Sequence, residues 1–271
     1  MQNKDVCIFG GAVKSPLTGW LGGKYKLAKT IVARLPEHHC YVEPFAGGAQ
    51  VLFRKEPSTV EVINDINRDL ITLYRVLQHH LEEFLRWFKW ALASRDEFKR
   101  LLRLESDALT DIQRACRFYY IQRNSFGGRI GGKPSFGYAT TRPPKLNLLR
   151  IEEELSAAHL RLARCYIECL PYTDVIKRYD RPQTLFYIDP PYWDCEEHYG
   201  KGIFSKADFN NLAEILSKTE GKFLMSLNDT PGVREVFSGF EIHEVQTQYS
   251  VSKAGNKQAN EVLISNYPQL P

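Results

Sequence analysis

The chain has 271 residues, of which 43% are hydrophobic and 25% charged, a composition typical of a soluble globular protein. No apolar run approaches the roughly 20 residues that a transmembrane helix needs, and the first residues lack the layout of a secretion signal. Six scattered cysteines without a Cys-x-x-Cys pair, and histidines without metal-ligand spacing, argue against zinc sites and disulfide frameworks. We therefore expect a cytoplasmic protein that binds neither metal nor membrane.

Two glycine-bearing segments near the N-terminus suit ligand binding. Residues 20–24 read Trp-Leu-Gly-Gly-Lys and precede a helix predicted over 25–35, so Lys24 stands where a helix dipole disfavours a cation. Residues 40–48 read Cys-Tyr-Val-Glu-Pro-Phe-Ala-Gly-Gly, a short strand followed by a turn of small residues. Because this turn lacks both the dinucleotide Gly-x-Gly-x-x-Gly pattern and a phosphate-binding Lys-Ser/Thr, it predicts a nucleoside ligand without phosphates.

An acidic residue follows the second predicted strand, which covers residues 60–63. Asp65 lies about twenty residues after the glycine turn, the spacing at which an acid reaches ribose hydroxyls. A lone Asp after a strand is otherwise a helix N-cap. In combination with the glycine turn, we interpret Asp65 as a ligand-binding residue.

The middle of the chain is basic. Residues 75–150 contain fifteen Lys or Arg and seven Asp or Glu, a net charge of +8, which leaves −4 for the rest of a chain of net charge +4. Helical periodicity covers 69–104, 110–122 and 147–162, and residues 123–138 form a loop or hairpin with five glycines, three cations and three aromatics. Such interleaving suits contacts with nucleic-acid backbones and bases, so the region is predicted to face a polyanion.

Residues 184–193 read Thr-Leu-Phe-Tyr-Ile-Asp-Pro-Pro-Tyr-Trp, a buried strand that ends in a rigid turn. The two prolines stop ladder pairing after Asp189 and fix the backbone, and Tyr192 and Trp193 are predicted as exposed aromatic faces. A carboxylate, the Pro190 carbonyl and an aromatic plane can together hold a planar heterocycle that carries an amino group. The other predicted elements are strands at 164–170, 222–227 and 261–265, a helix at 204–217 and a polar loop at 249–260.

In kind and order, these features resemble the Dam-type DNA adenine-N6 methyltransferases over nearly the whole chain. Asp-Pro-Pro-Tyr is the most specific element, although cytosine-N4 enzymes and some RNA and protein methylases share it. The resemblance implies an α/β fold, with a Rossmann-like methyltransferase domain (residues 1–74 and 164–271) built on a mixed, mainly parallel sheet. It also implies an inserted, mainly helical target-recognition domain with a β-hairpin or loop (residues 75–163).

The same resemblance implies S-adenosyl-L-methionine as the cofactor, duplex DNA as the partner and no need for a metal. The final glycine that is usual in the family's cofactor turn is replaced here by Ala49, whose methyl group could narrow the cofactor pocket. The catalytic motif is matched by Asp189, Pro190, Pro191 and Tyr192. The cofactor contacts are matched by Trp20, Gly22, Gly23, Lys24, Glu43, Pro44, Phe45, Ala46, Gly47, Gly48, Asp65, Cys169, Leu170, Tyr172 and Asp189. The DNA-facing candidates, a looser match, are Arg123, Asn124, Ser125, Phe126, Arg129, Lys133, Tyr138, Arg142 and Lys145.

The implied activity is site-specific methylation of adenine N6 in duplex DNA by a monomer, in the cytoplasm of a bacterium or encoded by a phage that acts there. Three alternatives remain open at this point: a cytosine-N4 methyltransferase, an RNA adenine methyltransferase, and a non-catalytic nucleic-acid-binding module on the same fold. Only Ala49 points to the last of these, and the intact Asp65 and Asp189 argue against it.

Overall fold

One mixed sheet organises the protein. The computed structural model describes residues 13–20, 22–128, 134–141, 143–196, 202–249 and 257–268, and of 247–249 and 257–259 only the backbone. Within these ranges seven strands pair in the order β3-β2-β1-β4-β5-β7-β6, and β7 alone runs opposite to the other six. The strands are β1 Cys40–Glu43, β2 Val60–Asn64, β3 Cys165–Glu168, β4 Thr184–Ile188, β5 Lys222–Asn228, β6 Glu241–Tyr249 and β7 Lys257–Ser265.

The centre of the sheet agrees closely with the sequence prediction. All five residues of β4 are buried, which explains why apolar and aromatic residues follow Thr184 without interruption. β1 pairs in parallel with both β4 and β2, so these three strands end at the same edge of the sheet. The glycine turn, Asp65 and the Asp189 turn therefore converge at that edge, as expected for an α/β sheet.

The far edge of the sheet differs from the prediction. The sequence analysis predicted no strand where β6 lies. It also predicted a polar loop up to residue 260 and a strand only from 261, whereas β7 begins at Lys257. The two strands pair antiparallel from Glu241↔Ser265 to Tyr249↔Lys257. Their polar outer halves carry little apolar signal, so the pairing itself, which joins distant residues, decides the conformation.

Ten α-helices lie within the described ranges, and several begin with a capping side chain. Asn67 accepts hydrogen bonds from two backbone N–H groups of α3, and Thr110 and Ser205 form capping boxes at α6 and α9. The helices are α1 Ala28–Val32, α2 Gln50–Arg54, α3 Arg68–His79, α4 Leu81–Phe88, α5 Arg95–Leu102, α6 Asp111–Asn124, α7 Leu148–Leu162, α8 Tyr172–Tyr179, α9 Lys206–Ser217 and α10 Pro231–Val236.

Two predicted helices near the N-terminal half of the chain differ clearly from the structure. The helical pattern of 69–104 is divided among α3, α4 and α5, because apolar periodicity continues across the breaks at His80 and at 89–94. The first helix is only Ala28–Val32 instead of 25–35, so Lys24 lies in the preceding turn. Among the described residues, no helix is long and apolar enough to cross a membrane.

The helices between β2 and β3 share one hydrophobic core with the sheet. Tyr41 of β1 belongs to the same buried cluster as Phe84 of α4, Tyr119 of α6 and Leu155 of α7. A buried ion pair adds to this, since Arg161 of α7 donates to both carboxylate oxygens of Glu61 in β2. The predicted division into two domains at 75 and 163 stays a prediction, and the packing joins these regions closely.

Candidate active site

A cavity of about 600 Å³ opens at the carboxyl edge of the sheet, a size suited to a nucleoside. Its walls come from the segment before α1 and from the turns after β1, β2, β3 and β4. All predicted cofactor residues except Cys169 line it. The lining residues from this set are Trp20, Gly22, Gly23, Lys24, Glu43, Pro44, Phe45, Ala46, Gly47, Gly48, Asp65, Leu170, Tyr172 and Asp189.

The glycine turn is held tightly from several sides. Gly47 has φ +47°, and a Cβ atom on it would come within 2.8 Å of the indole nitrogen of Trp20. The Tyr74 hydroxyl donates to the Gly47 carbonyl at 2.7 Å, and the Gly47 N–H donates to Asp65 Oδ2 at 2.9 Å. The Ser15 hydroxyl donates to the Gly48 carbonyl at 2.5 Å. Only glycine fits this close packing without strain, so the turn presents its backbone directly to the cavity.

Asp65 serves the turn as well as the cavity. Its Oδ1 accepts from the N–H of Asn67 at 2.8 Å, while Oδ2 accepts from Gly47. Burial raises the pKa of its carboxyl group, and these backbone hydrogen bonds oppose the rise. Because each carboxylate oxygen can accept more than one hydrogen bond, Asp65 retains capacity for a ligand hydroxyl.

Asn64, which the sequence analysis missed, joins three loops of the site. Its amide donates to the carbonyls of Pro44 at 2.9 Å and Leu170 at 3.0 Å, and its Oδ1 accepts from the N–H of Leu170 at 2.8 Å. It therefore fixes the turn after β1 against the turn after β3. The only sequence signal was a polar residue at the end of a buried strand, which does not name its partners.

An aromatic group forms one wall of the cavity. Phe45 stacks on Tyr172, with ring centres 5.2 Å apart, and Phe204 packs edge-on against Phe45 at 5.9 Å. The Tyr172 hydroxyl is fixed by Asp208 at 3.2 Å and by Asn211 at 2.9 Å. Flat apolar surface of this kind suits an adenine ring.

Cys169 lies elsewhere. It is exposed and lines a separate surface pocket with arginines of α3 and α6, among them Arg68 and Arg114. Its assignment as a cofactor contact stays a prediction, and its position outside the cavity gives it no support.

Asp189 and Lys24 form an ion pair at the end of the cavity. Lys24 is 2% exposed, and its ammonium contacts Asp189 Oδ1 and lies 4.6 Å from the centre of the Tyr192 ring. Ser226 adds a 3.4 Å hydrogen bond to the same carboxylate oxygen. Burial raises the pKa of Asp189, whereas Lys24 lowers it. The charge of Lys24 thus favours the ionised carboxylate and opposes the effect of burial.

Glu43 is the second acid near this end. Its Oε1 accepts from the Tyr41 hydroxyl and from the Leu52 N–H, both at 2.8 Å. Burial raises the pKa of Glu43 to about 8, and the charge of Asp189 contributes to the rise. An acid whose pKa is raised toward neutral pH, close to the charge of a second acid, is an arrangement common at functional sites.

The Asp-Pro-Pro-Tyr turn is less exposed than the sequence suggested. Tyr192 is half-buried, and Trp193 packs on Phe209 at 5.0 Å. The prediction that Tyr192 and Trp193 are exposed aromatic faces is therefore wrong. Asn228 holds its backbone, accepting from the Trp193 N–H at 3.0 Å and donating to the Trp193 carbonyl at 3.1 Å.

A second cavity of about 850 Å³ adjoins the first. The two share Trp20, Gly22, Gly23, Lys24 and Gln50 as a common wall. Other parts of the second cavity are aromatic and cationic. These lining residues are Lys14, Tyr25, Lys26, Arg123, Phe126, Phe136, Tyr138 and Lys145.

The predicted DNA-facing residues divide into three groups. Phe126 and Tyr138 are 70% and 75% exposed, and Lys145 is also exposed. They border a hairpin-like return in which Ser125 bridges Phe136, with the Phe126 N–H donating to the Ser135 carbonyl at 2.8 Å. A second group, Arg129, Lys133 and Arg142, lies outside the described residues.

The third group is buried. α6 extends to Asn124 instead of ending at 122, which carries Arg123, Asn124 and Ser125 into the core. The Arg123 guanidinium donates to Thr18 and to the Lys145 carbonyl, and the other two side chains donate to backbone carbonyls of α6. Their predicted exposure is wrong, and direct DNA contact by them lacks support in this conformation.

The chemistry of the first cavity suits a nucleoside without phosphates. Among the described residues, Lys24 is the only cation that lines it, which leaves little to bind phosphates. Backbone groups, the Asp65 carboxylate and the aromatic wall instead suit a ribose and an adenine. Within the described ranges, no three His, Cys, Asp or Glu side chains group to bind a metal ion.

Sheet order, glycine turn and the Asp-Pro-Pro-Tyr turn define a Rossmann-like methyltransferase fold. The chain belongs to the family described as D12 class N6 adenine-specific DNA methyltransferase, which it matches over residues 20–251.

Individual relatives agree with this family. The chain is 27% identical over 278 residues to the Type II methyltransferase M1.LlaDCHI of Lactococcus lactis subsp. cremoris, covering 93% of this chain and 95% of that protein. It is 28% identical over 267 residues to the DNA adenine methylase of Salmonella typhi, covering 92% and 94%. The DNA N-6-adenine-methyltransferase of Escherichia phage P1 is 28% identical over 270 residues, covering 90% of this chain but 34% of that protein.

The predicted activity is therefore confirmed at the level of the enzyme class: the protein is an adenine-specific DNA methyltransferase. The alternatives of a cytosine-N4 enzyme, an RNA methyltransferase and a non-catalytic module are not favoured.

Proposed function

We propose that the protein transfers a methyl group from S-adenosyl-L-methionine to N6 of an adenine flipped out of duplex DNA. The observation that carries this proposal is the position of Lys24. Its side chain lines both cavities and contacts Asp189, so the proposed catalytic acid lies where a donor site and a DNA-facing site meet.

When bound, S-adenosyl-L-methionine would supply a methyl group already activated on a sulfonium, so the protein need not provide a nucleophile. Asp65 and the backbone of the glycine turn would hold the ribose. The wall of Phe45 and Tyr172 would take the adenine of the cofactor, and Glu43 and Lys24 line the opposite part of the cavity. We assign the remaining cofactor contacts to the cavity residues given above.

The chemical task of the protein lies at the target amino group. Its nitrogen lone pair is delocalised into the adenine ring, which makes it a poor nucleophile. Asp189 and the Pro190 carbonyl would accept hydrogen bonds from its two N–H groups and favour a more tetrahedral nitrogen. The Asp189 carboxylate can also take the proton that is lost when the nitrogen gains the methyl group.

Lys24 contacts one oxygen of the carboxylate that this amino group needs. The target base must therefore share Asp189 with Lys24 or displace it. Until then the ammonium keeps the carboxylate ionised and in place. Tyr192, beside the same ammonium, would stack on the base and offset part of the cost of flipping, which is a few kcal/mol.

The second cavity would receive the DNA. Lys14, Lys26 and Lys145 suit phosphate contacts, and the exposed Phe126 and Tyr138 suit contacts at bases next to the flipped nucleotide. Arg129, Lys133 and Arg142 stay predicted contributors to this surface. We also propose that the protein acts as a monomer. Its proposed place of action is the bacterial cytoplasm, which the bacterial and phage origin of the relatives supports.

The decisive variant is Asp189→Ala. It removes the amino-group acceptor, so single-turnover methylation of unmethylated plasmid DNA should fall by at least roughly a thousandfold. Affinities for S-adenosyl-L-methionine and DNA, measured by calorimetry and filter binding, should change less than about tenfold. The matched control is Asp194→Asn, at an exposed carboxylate that pairs with Lys206 outside the cavity. Turnover of Asp189→Ala at the control rate would refute the assignment.

A further inference from the structure

Two neighbouring strands place three polar residues beneath the Asp-Pro-Pro-Tyr turn. β5 and β7 pair antiparallel with Asn228 opposite Glu261 and Leu227 opposite Val262. Residues directly opposite each other, and residues two apart on a strand, share a face of the sheet. Ser226, Asn228 and Glu261 therefore lie on one face, while the apolar Leu227 and Val262 lie on the other.

Each of the three contacts a different residue of the turn. Ser226 donates to Asp189, and Asn228 binds the Trp193 backbone with both ends of its amide. Glu261 accepts a hydrogen bond from the Tyr192 hydroxyl. The turn is thus supported along its length by the end of the sheet.

Glu261 is the member whose presence needs most explanation. It is 1% exposed, and burying a carboxylate costs much more than burying an apolar side chain of similar volume. Burial accordingly raises its pKa, although the nearby charge of Lys24 opposes the rise. A strand of this sheet has no packing need for such a group. Its hydrogen-bond partner, in contrast, is the aromatic residue of the catalytic turn.

We propose that Glu261 is a positioning residue, whose carboxylate fixes the Tyr192 hydroxyl and thereby the plane on which the target adenine stacks. This inference rests on the proposed stacking role of Tyr192. Lys24 lies over the ring at 4.6 Å while Glu261 holds its hydroxyl end. The contact with Glu261 fixes the position of the hydroxyl end, and the contact with Lys24 opposes rotation of the ring about its own axis, so the base meets a surface of fixed orientation.

Four variants test the proposal by single-turnover methylation of unmethylated plasmid DNA with radiolabelled S-adenosyl-L-methionine. Glu261→Met removes the acceptor at similar volume and should lower the rate roughly tenfold. Tyr192→Phe removes the donor and should have the same effect. Because both delete one interaction, the double variant should be no slower than either single variant. Glu261→Gln, which keeps an acceptor oxygen, should stay within about threefold of the parent rate.

DNA affinity, thermal unfolding and a control complete the design. The filter-binding Kd should change less than about threefold in each variant, since the hydroxyl contact orients the base and does not hold phosphates. The control is Glu241→Gln, at an exposed carboxylate of β6, which should keep the parent rate. A purely structural role for Glu261 would instead produce losses of methylation rate that add to the loss in Tyr192→Phe. These losses would also correlate with a lower unfolding temperature.

The outcomes separate this inference from the proposed function. Parent rates in Glu261→Met or in Tyr192→Phe, or additive losses in the double variant, overturn the role of Glu261. A further variant, Tyr192→Ala, addresses the stacking itself. If Tyr192→Ala keeps the parent rate, the stacking role and the proposed function of Tyr192 fail as well. If it is inactive while Glu261→Met is not, only the positioning role fails.

Discussion

The two adjoining cavities are built in contrasting ways. The first cavity, which we propose binds the methyl donor, is enclosed by backbone turns whose carbonyls and N–H groups are bonded to buried side chains, among them Ser15, Asn64 and Tyr74. The second cavity, which we propose receives the DNA, presents exposed side chains, with Phe126 and Tyr138 mostly in solvent. A small ligand that is always the same can be met by a rigid site. A duplex with a displaced base instead calls for side chains that can adjust.

This difference predicts where single substitutions act. Changes in the first cavity should disturb geometry and therefore have large effects that depend on one atom. Changes in the second cavity should be graded and depend on salt concentration.

The largest effect is expected at the glycine turn. Gly47→Ala places a methyl group 2.8 Å from the Trp20 indole nitrogen at φ +47°, which strains the backbone by about 1–3 kcal/mol. Affinity for S-adenosyl-L-methionine, measured by calorimetry, should fall at least roughly tenfold. Gly239→Ala, where a Cβ meets nothing within 4 Å, is the control and should bind normally. Equal binding by both variants would show that the turn is not held as rigidly as described.

Next comes the pH dependence that Lys24 controls. Lys24 lowers the pKa of Asp189 against the effect of burial, so Lys24→Met should raise that pKa further. Because the ionised carboxylate is the acceptor, activity falls as pH drops below its pKa. The acid limb of kcat should therefore move to higher pH, with a loss that is largest at acidic pH and shrinks as the pH rises.

This profile is measured at saturating DNA and cofactor, with Lys29→Met as the control. Lys29 is exposed on α1 and does not line either cavity. An acid limb that stays in place, or moves to lower pH, would contradict the role of the ion pair.

A smaller effect is expected on the DNA side. Lys145→Gln removes one proposed phosphate contact, so the slope of log Kd against log salt should decrease by about 0.9. Affinity at low salt should weaken only a few-fold. Lys218→Gln, an exposed lysine that pairs with Glu214 on α9, should leave the slope unchanged. If the two variants behave alike, Lys145 does not contact DNA.

The smallest effect is expected at Ala49, where the family's usual glycine is replaced. Ala49 has φ +46°, a left-handed conformation that costs a residue with Cβ about 1–2 kcal/mol. Ala49→Gly relieves this strain. It also removes a buried methyl group worth about 0.8 kcal/mol and raises the conformational entropy of the unfolded chain. The free energy of unfolding in urea should change by less than about 1 kcal/mol. A much larger change, or a clear gain in cofactor affinity, would show that the methyl group obstructs the site.

The same contrast explains what the sequence could predict. β4, the glycine turn and Asp189 were located from residue types because local backbone geometry dictates those types. Asn64, Ser226 and Glu261 were not located, because each contacts residues on another element or in a loop that is distant in sequence. The exposure of Arg123 was mispredicted because a glycine-rich segment suggested a loop, whereas packing extends α6 by two residues.

The shared wall between the cavities has a thermodynamic consequence. Trp20, Gly22, Gly23 and Lys24 border both sites, so ordering this segment for one ligand also orders it for the other. Cofactor and DNA binding should therefore be coupled, and linkage requires that each changes the affinity for the other by the same factor.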